Sequence, residues 1–555
     1  MVERERGFDE SQVTEEEALA GAIDPSQGLF VGTYQTESIF ARQSGPTIGA
    51  DVAALNTAED WLRSGQVRRW YHFTETAEVA PLDRPRALTV REHLVAGPAL
   101  WGAAASEAPA LLASGVLHAL VSTHPYERFH YVLREAQDAC NVPCIGMLHG
   151  VNEEDAQWLG FAWGETHPWD VMFAPTQCGE RAFWAGVHRL EARLGRAVYR
   201  GHVEVIPYGV SMELVTRQRV RWPQTDIIFL SLARFDLRRK VDLAPLLLAF
   251  AEVVRTHPHA RLLLAGAVSE PRYPEKVALL ARELGIAERV DLLTDVSAED
   301  KNALLAEADV FVAFSDNVQE TYGLSVVEAM AAGLPVIASA WNGFKESVVD
   351  GETGVLVPTV MLAHEPLIAT MAGLRHHLRS YSFQHDATVI DLLAAASAMR
   401  LLADDAQKRR AFGAAGRARA EARYDRARNH RAMGERMALA VREARSAPVV
   451  RAAQRVVDWA AVFGHYPSAM VNDTTKVALG PTPLSAATGE LARQLGVADR
   501  KQVRLLLGHA VEAVTNGEVA LGVLSATMSA TLPTLLPAAC ARWIVHFAKY
   551  GFLRL

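Results

Sequence analysis

Glu320 and Glu328 are separated by seven residues in Glu320-Thr-Tyr-Gly-Leu-Ser-Val-Val-Glu328. The first precedes a helix that the pattern predicts to open at Gly323-Leu324, and the second lies about one turn inside it. Carboxylates so placed can reach two different ends of one ligand. Between them, the unpaired N–H groups near Gly323, Leu324 and Ser325, with the positive end of the helix dipole, favour an anion such as phosphate. Two carboxylates alone would repel that anion. Arg234 and Lys240, in Ala233-Arg-Phe-Asp-Leu-Arg-Arg-Lys240, supply the compensating charge. An Arg fork and a Lys point charge suit the oxygens of a diphosphate, and their charge matters more as that group departs. No Asp-x-Asp or comparable metal-ligand cluster appears, so no metal and no resident cofactor are expected. Standing alone, the two glutamates would read as solvated surface carboxylates; Arg238 and Arg239 read as exposed charge.

Positioning such groups requires strands that end at one edge. The stretch from Ala308 to Pro358 reads as a buried strand (Val310 to Phe314), a polar loop holding Glu320, the helix from Leu324, then Gly333 and Pro335 before another apolar strand. Further strands are predicted near 227–233, 260–265, 289–293 and 354–357, with helices between them. In such parallel sheets ligands gather beyond the carboxyl ends of the strands. An earlier alternation, with strands near 28–32, 67–73, 116–121, 143–148, 171–176 and 203–210 and helices near 127–139 and 178–194, predicts a first domain of the same class. The expected fold is therefore α/β: two facing Rossmann-like, doubly wound parallel-sheet domains with an added, mostly helical C-terminal segment. The expected division is an acidic tail at 1–27, a first domain at 28–215, a second at 216–425, a crossover helix at 426–448 and an extension at 449–555, the pattern being wholly helical from about 366 to 447.

The 555 residues are too many for one core, and length alone suggests about three or four domains. Half are apolar, and a net charge of −8 argues against nucleic-acid binding through bulk positive charge. Cys140, Cys144, Cys178 and Cys540 do not make a disulfide framework or a zinc ribbon and read as reduced thiols. The opening residues lack the apolar core of a signal peptide, so a cytoplasmic protein is expected. The uncharged run from Val519 to Ala541 is interrupted by Gly522, Pro533 and Pro537 and reads as a packed hairpin or surface contact, not a membrane span.

The second domain resembles that of the retaining, nucleotide-sugar-dependent GT-B glycosyltransferases of the large family-4 group, which includes sucrose synthases, bacterial mannosyltransferases and glycogen synthase relatives. The resemblance rests on Ile206-Pro-Tyr-Gly-Val210, the Ala233 to Lys240 text, Glu320 to Glu328 with Ala-Met-Ala-Ala-Gly-Leu-Pro behind it, and the Gly351 to Pro358 turn. It covers about residues 200 to 425. It implies a donor site of Arg234, Lys240, Glu320, Tyr322, Gly323, Leu324, Ser325 and Glu328. In it Glu320 meets the donor sugar, Glu328 the ribose hydroxyls, and Arg234 and Lys240 the diphosphate of a UDP-, GDP-, ADP- or TDP-sugar. In the first domain, Pro143 to Gly150 is similar to the strand that ends in a His beside the sugar's reacting carbon, which makes His149 the candidate; a structural His at a strand end is the alternative. The usual glycine-rich loop is absent, and Gly45-Pro-Thr-Ile-Gly49 stands nearest its place.

His124, Trp158 and Trp163 are candidates for the acceptor side, with core packing as the plain alternative. The expected activity is transfer of a sugar to a hydroxyl with retention of configuration. Its rivals are a phosphorylase or sugar-nucleotide epimerase on the same fold, or a non-catalytic binding or assembly module. The acceptor is left open among small molecule, glycan, lipid, protein and modified nucleic acid. Residues 449–555 carry ten Lys or Arg against six Asp or Glu and could recognise the acceptor, dock on a membrane surface or form a homodimer.

Overall fold

The computed structural model describes residues 28–34, 49–74, 100–104, 112, 115, 117–122, 129–136, 141–150, 161–162, 164–212, 220–237, 240–362, 387–450, 472–481, 501–531, 537–549 and 552–555. The acidic tail, Gly45 to Ile48, His124, Trp158, Trp163, Arg238 and Arg239 lie outside them.

Seven parallel strands build the first sheet: β1 (Leu29–Tyr34), β2 (Val67–Thr74), β3 (Leu100–Ala104), β4 (Ala119–Ser122), β5 (Cys144–Met147), β6 (Val171–Ala174) and β7 (His202–Val205). Their order is β3-β2-β1-β4-β5-β6-β7. Six more parallel strands build the second: β8 (Ile227–Leu232), β9 (Ala260–Gly266), β10 (Val290–Thr294), β11 (Val310–Ala313), β12 (Val336–Ser339) and β13 (Gly354–Val357), ordered β10-β9-β8-β11-β12-β13. Strands such as β11 and β12 are buried at every position, which is why they read as unbroken apolar runs and not as alternating ones. Each sheet changes winding direction beside its first strand, between β1 and β4 and between β8 and β11. A crevice opens at the carboxyl ends of two strands wherever that happens.

The two expected α/β domains are present. The helix Gly49–Arg63 and the edge strand β3 are additions that the sequence pattern did not pick out. Nor is the stretch beyond β13 wholly helical: β14 (Thr359–Met361) and β15 (Thr388–Ile390) pair antiparallel before the helices Leu392–Asp404, Ala406–Arg423 and Arg426–Ser446. The last helix returns to the first domain. Trp61 Nε1 donates to the His430 carbonyl at 2.7 Å, and Asp60 meets His430 Nδ1 at 2.7 Å and Arg426 Nε at 3.0 Å. Burial opposes the Asp60 charge, but His430 and Arg426 hold its carboxyl below the usual value. Where the chain crosses between domains the two crossing segments lie side by side: Val210 N donates to Tyr424 O at 2.9 Å, and Arg426 N to Val210 O at 3.1 Å.

Beyond residue 471, the helices Lys501–Val514, Leu521–Thr531 and Pro537–Lys549 surround a small antiparallel sheet of β16 (Lys476–Leu479), β17 (Val519–Ala520) and β18 (Leu553–Arg554). Leu506, Leu524, Ile544, Phe547 and Phe552 give this unit a core of its own. Part of the run from Val519 to Ala541 is thus an ordinary packed helix. Among the described residues no helix is long and apolar enough to cross a membrane.

Candidate functional site

The loop after β8 is the first wall of the crevice between β8 and β11. Phe235 N donates to Ala267 O at 2.8 Å, which prolongs the pairing with β9 just past Arg234. Lys240 N and Val241 N then both turn back to the Asp236 carbonyl at 3.0 and 3.1 Å, so Lys240 folds towards the crevice instead of trailing away. Arg234 and Lys240 are half-buried.

The loop after β11 is the second wall. Ser315 N donates to Ser339 Oγ at 2.9 Å and Ser339 Oγ returns a bond to Ser315 O at 2.8 Å, which ties this exit to the end of β12. Asn317 then organises the turn: its Oδ1 accepts from Gln319 N at 2.9 Å and its carbonyl from Trp341 Nε1 at 2.9 Å and Glu320 N at 3.1 Å. The Glu320 carboxylate that this turn presents is ion-paired with Lys240 Nζ. One pair therefore spans the crevice, with Glu320 largely buried and Lys240 about one-third exposed.

Gly323 starts the helix Leu324–Ala331 in the left-handed region, at φ +87°, and no side chain caps it. A Cβ there would lie 2.2 Å from the Phe344 ring, so both the conformation and the space require glycine. The first bond of the helix runs from Val326 N to the Gly323 carbonyl at 3.0 Å, and the N–H groups before it face the crevice end of the helix, where an anion is favoured. Leu324, Ser325 and Glu328 are half-buried. Glu328 Oε1 is bonded by Lys301 Nζ at 2.6 Å, a partner contributed by the helix Ala298–Glu307 after β10. Tyr322 is buried, its hydroxyl committed to the Tyr208 carbonyl; burial pushes its phenol well above the usual value, so it remains a donor. It braces the loop from behind.

The opposite wall belongs to the first domain. Thr321 Oγ1 donates to the His149 carbonyl at 2.8 Å, and Thr176 Oγ1 donates to the Thr321 carbonyl at 2.9 Å. His149 is half-buried just past β5, its ring 5.0 Å from that of Tyr208, whose hydroxyl donates to Leu148 O at 2.9 Å. Thr176 also caps the helix Gln177–Leu194, and Glu346 from the second domain completes that cap by accepting from Gln177 N and Cys178 N. The close approach is possible because Gly343 has no side chain: a Cβ would lie 2.4 Å from the Thr321 carbonyl. Arg234, Lys240, Glu320, Gly323, Glu328 and His149 are thus gathered on facing carboxyl edges of the two sheets. Lys301, Thr321, Thr176 and Glu346 were not anticipated, since their partners lie on other elements and leave no spacing signal.

Residues 215–365 match the family described as Glycosyl transferases group 1. A phosphatidyl-myo-inositol mannosyltransferase of Mycobacterium leprae is 34% identical over 156 residues, 28% of this chain and 39% of that protein. A D-inositol 3-phosphate glycosyltransferase of Geodermatophilus obscurus is 33% identical over 35% of this chain and 47% of its own length. The chain therefore spans less than half the length of these two relatives. A D-inositol 3-phosphate glycosyltransferase of Mycolicibacterium smegmatis is 27% identical over 68% of this chain and 93% of that protein. The crystal structure of a glycosyltransferase from Rickettsia africae superposes with a TM-score of 0.51 at 13% identity, covering 76% of this chain and 100% of that one, and so shares the fold.

Proposed function

We propose that this chain is a glycosyltransferase that moves a sugar from a nucleoside-diphosphate donor to a hydroxyl-bearing acceptor and retains the anomeric configuration. The observation that carries the reading is the Lys240–Glu320 pair across the β8/β11 crevice, beside the helix start at Gly323 and opposite His149. The group 1 match over residues 215–365 and the glycosyl and mannosyl transfer named in the relatives support it.

In this reading Arg234, Lys240 and the backbone around Gly323, Leu324 and Ser325 hold the diphosphate, Glu320 orients the sugar, Glu328 meets the ribose, and His149 lies near the reacting carbon. Tyr322 supports the loop. Donor arrival transfers Lys240 from Glu320 to the phosphate oxygens, which frees Glu320 for the sugar hydroxyls. The bond from the anomeric carbon to the phosphate oxygen breaks with its electrons passing to the phosphate. The acceptor oxygen bonds to that carbon from the same face, and its proton passes to the departing phosphate oxygen. The cations and the helix dipole stabilise the charge that develops there. Closure of the two domains excludes water and limits hydrolysis of the donor. The division into a tail (1–27), first domain (28–215), donor domain (216–425), crossover helix (426–448) and extension (449–555) belongs to the same proposal. So does a cytoplasmic location.

The test is a thermal-shift panel of UDP-, GDP-, ADP- and TDP-sugars, followed by NMR of the product anomer. A ligand present at about 100 times its Kd stabilises by about 3 kcal/mol. Glu328→Ala is expected to weaken every donor, and Glu320→Ala to reduce turnover with smaller loss of binding. No shift from any donor, with no transfer to a broad panel of hydroxyl acceptors, would overturn the reading.

A further inference from the structure

We propose that the helix Arg426–Ser446 carries a docking face on the side of the first domain away from the crevice, and that its occupant is the chain's own acidic segment, residues 1–27. That segment holds eight Asp or Glu against two Arg, with Glu15, Glu16 and Glu17 in a row. It meets the described chain at Gly28, at the amino end of β1. There Leu29 N donates to Gln66 O at 2.8 Å, and a Cβ on Gly28 would lie 2.6 Å from Arg68 Cγ. Gln66 in turn reaches the helix: its Nε2 donates to the Arg431 carbonyl at 2.9 Å, and its amide lies where a Cβ on Gly434 would be, 2.6 Å away. The acidic segment therefore joins the fold beside Arg431.

The surface at that junction has the opposite sign. Arg63, Arg68 and Arg431 are exposed around Gln66. Arg428, Arg442 and Arg445 are exposed along the helix, and at about 100° per residue they share one stripe with Arg431, interrupted by Glu435. Among the described residues no carboxylate pairs with Arg63, Arg68, Arg431, Arg442 or Arg445. Asn141, just before β5, donates to the Ala444 carbonyl at 2.7 Å, so from Arg431 onwards the helix follows the amino ends of the first sheet's strands, opposite the crevice. Length fits as well. Arg431 to Arg445 is about 21 Å of helix, and the eleven residues from Glu17 to Gly28 can span about 36–40 Å. Each exposed ion pair is worth at most about 1 kcal/mol and is screened by salt, so the docking depends on several pairs together. Docked there, the segment offsets the charge of the stripe and keeps other polyanions off it.

The experiment is zero-length carbodiimide cross-linking of the full-length protein carrying Arg431→Lys or, separately, Arg442→Lys, with the joined peptides identified by mass spectrometry. Both substitutions keep the charge and supply an amine that an activated carboxylate in direct contact will acylate. At low salt the amine at position 431 is expected to be joined to Asp24, and the one at position 442 to Glu15, Glu16 or Glu17. Both yields should fall several-fold at about 0.5 M salt, where the screening length shrinks to about 4 Å. Combining Glu15→Gln, Glu16→Gln and Glu17→Gln should abolish the product at position 442. Absence of any product at both positions overturns the docking. So does a yield matched at Lys345, an exposed lysine of the second domain, because contact would then be undirected. A product found only in cross-linked dimers also overturns it, since the occupant would be the segment of a second copy.

Discussion

The Glu346 carboxylate accepts a hydrogen bond from the Cys178 N–H at 2.7 Å, and the two residues belong to different domains. A second bond, from Gln177 N at 2.9 Å, makes the contact a two-pronged cap on the helix Gln177–Leu194. The peptide that carries Glu346 is itself held, since Arg419 donates to the carbonyls of Glu346 and Ser347 at 2.7 and 2.9 Å. A carboxylate at a helix start is worth about 0.3–1 kcal/mol at the surface and up to about 2 when partly buried. Glu346→Ala should therefore loosen the contact between the two domains. Burial and Glu346 raise the Cys178 thiol above its ordinary value, so alkylation of Cys178, followed by mass spectrometry of its peptide, reports the contact. Faster alkylation and a larger radius of gyration in the variant are expected. Unchanged values of both would show that other contacts hold the domains together.

Gly323→Ala should damage both fold and site. The left-handed backbone and the approach to Phe344 act together, and a cost of about 2–4 kcal/mol is expected from urea unfolding. Shrinking the ring in a Gly323→Ala, Phe344→Leu double variant should recover part of the loss. If the single variant unfolds at the same urea concentration as the parent, this account of the helix start is wrong.

Lys240→Met leaves Glu320 without its ion-pair partner at the crevice. Turnover should fall by roughly 10²-fold or more, as when one preorganised charge is removed from a leaving-group site. Apo stability should change by less than about 1 kcal/mol, because Lys240 is one-third exposed and pairs of this kind contribute little to folding. A variant that loses stability but keeps its rate would assign Lys240 to structure alone.

Acid should weaken the first domain earlier than carboxylate chemistry alone predicts. Burial pushes His130 and His167 from 6.5 down to about 4, so both stay neutral in the folded chain while their unfolded counterparts take up protons. Stability is then complete above about pH 6.5 and declines as pH falls towards 4; for His130 the full effect is about 3 kcal/mol. Thermal midpoints measured from pH 7.5 to 4.5 should drop across that window, and His130→Gln should flatten the slope. A profile that is level down to pH 5 in the parent protein would refute this.

Much of the second domain was legible because β8, β9, β11 and β12 are short, mostly buried apolar runs, whose length and flanking Gly, Pro or polar loops mark them as strands. The strand β3, Leu-Trp-Gly-Ala-Ala, is mostly small residues with weak strand preference, and it forms only because β2 offers an edge to pair with. The site divides in the same way. Glu320, Gly323 and Glu328 share one loop and helix, so their spacing exposes them. Lys301 meets Glu328 across 27 positions and Glu346 meets Cys178 across 168, and no periodicity within an element can encode contacts that only the winding of the sheets brings about.

The side-by-side crossing at Val210 and Asp425 bears on how such a molecule can move. Among the described residues, two strands of chain pass between the domains side by side and are hydrogen-bonded to each other, like the leaves of a door sharing one pin. A lone tether would let the domains swivel and twist freely. This double one ties the two crossing segments to each other, and the Glu346–Cys178 and Thr321–His149 contacts join the same two domains away from the crossing.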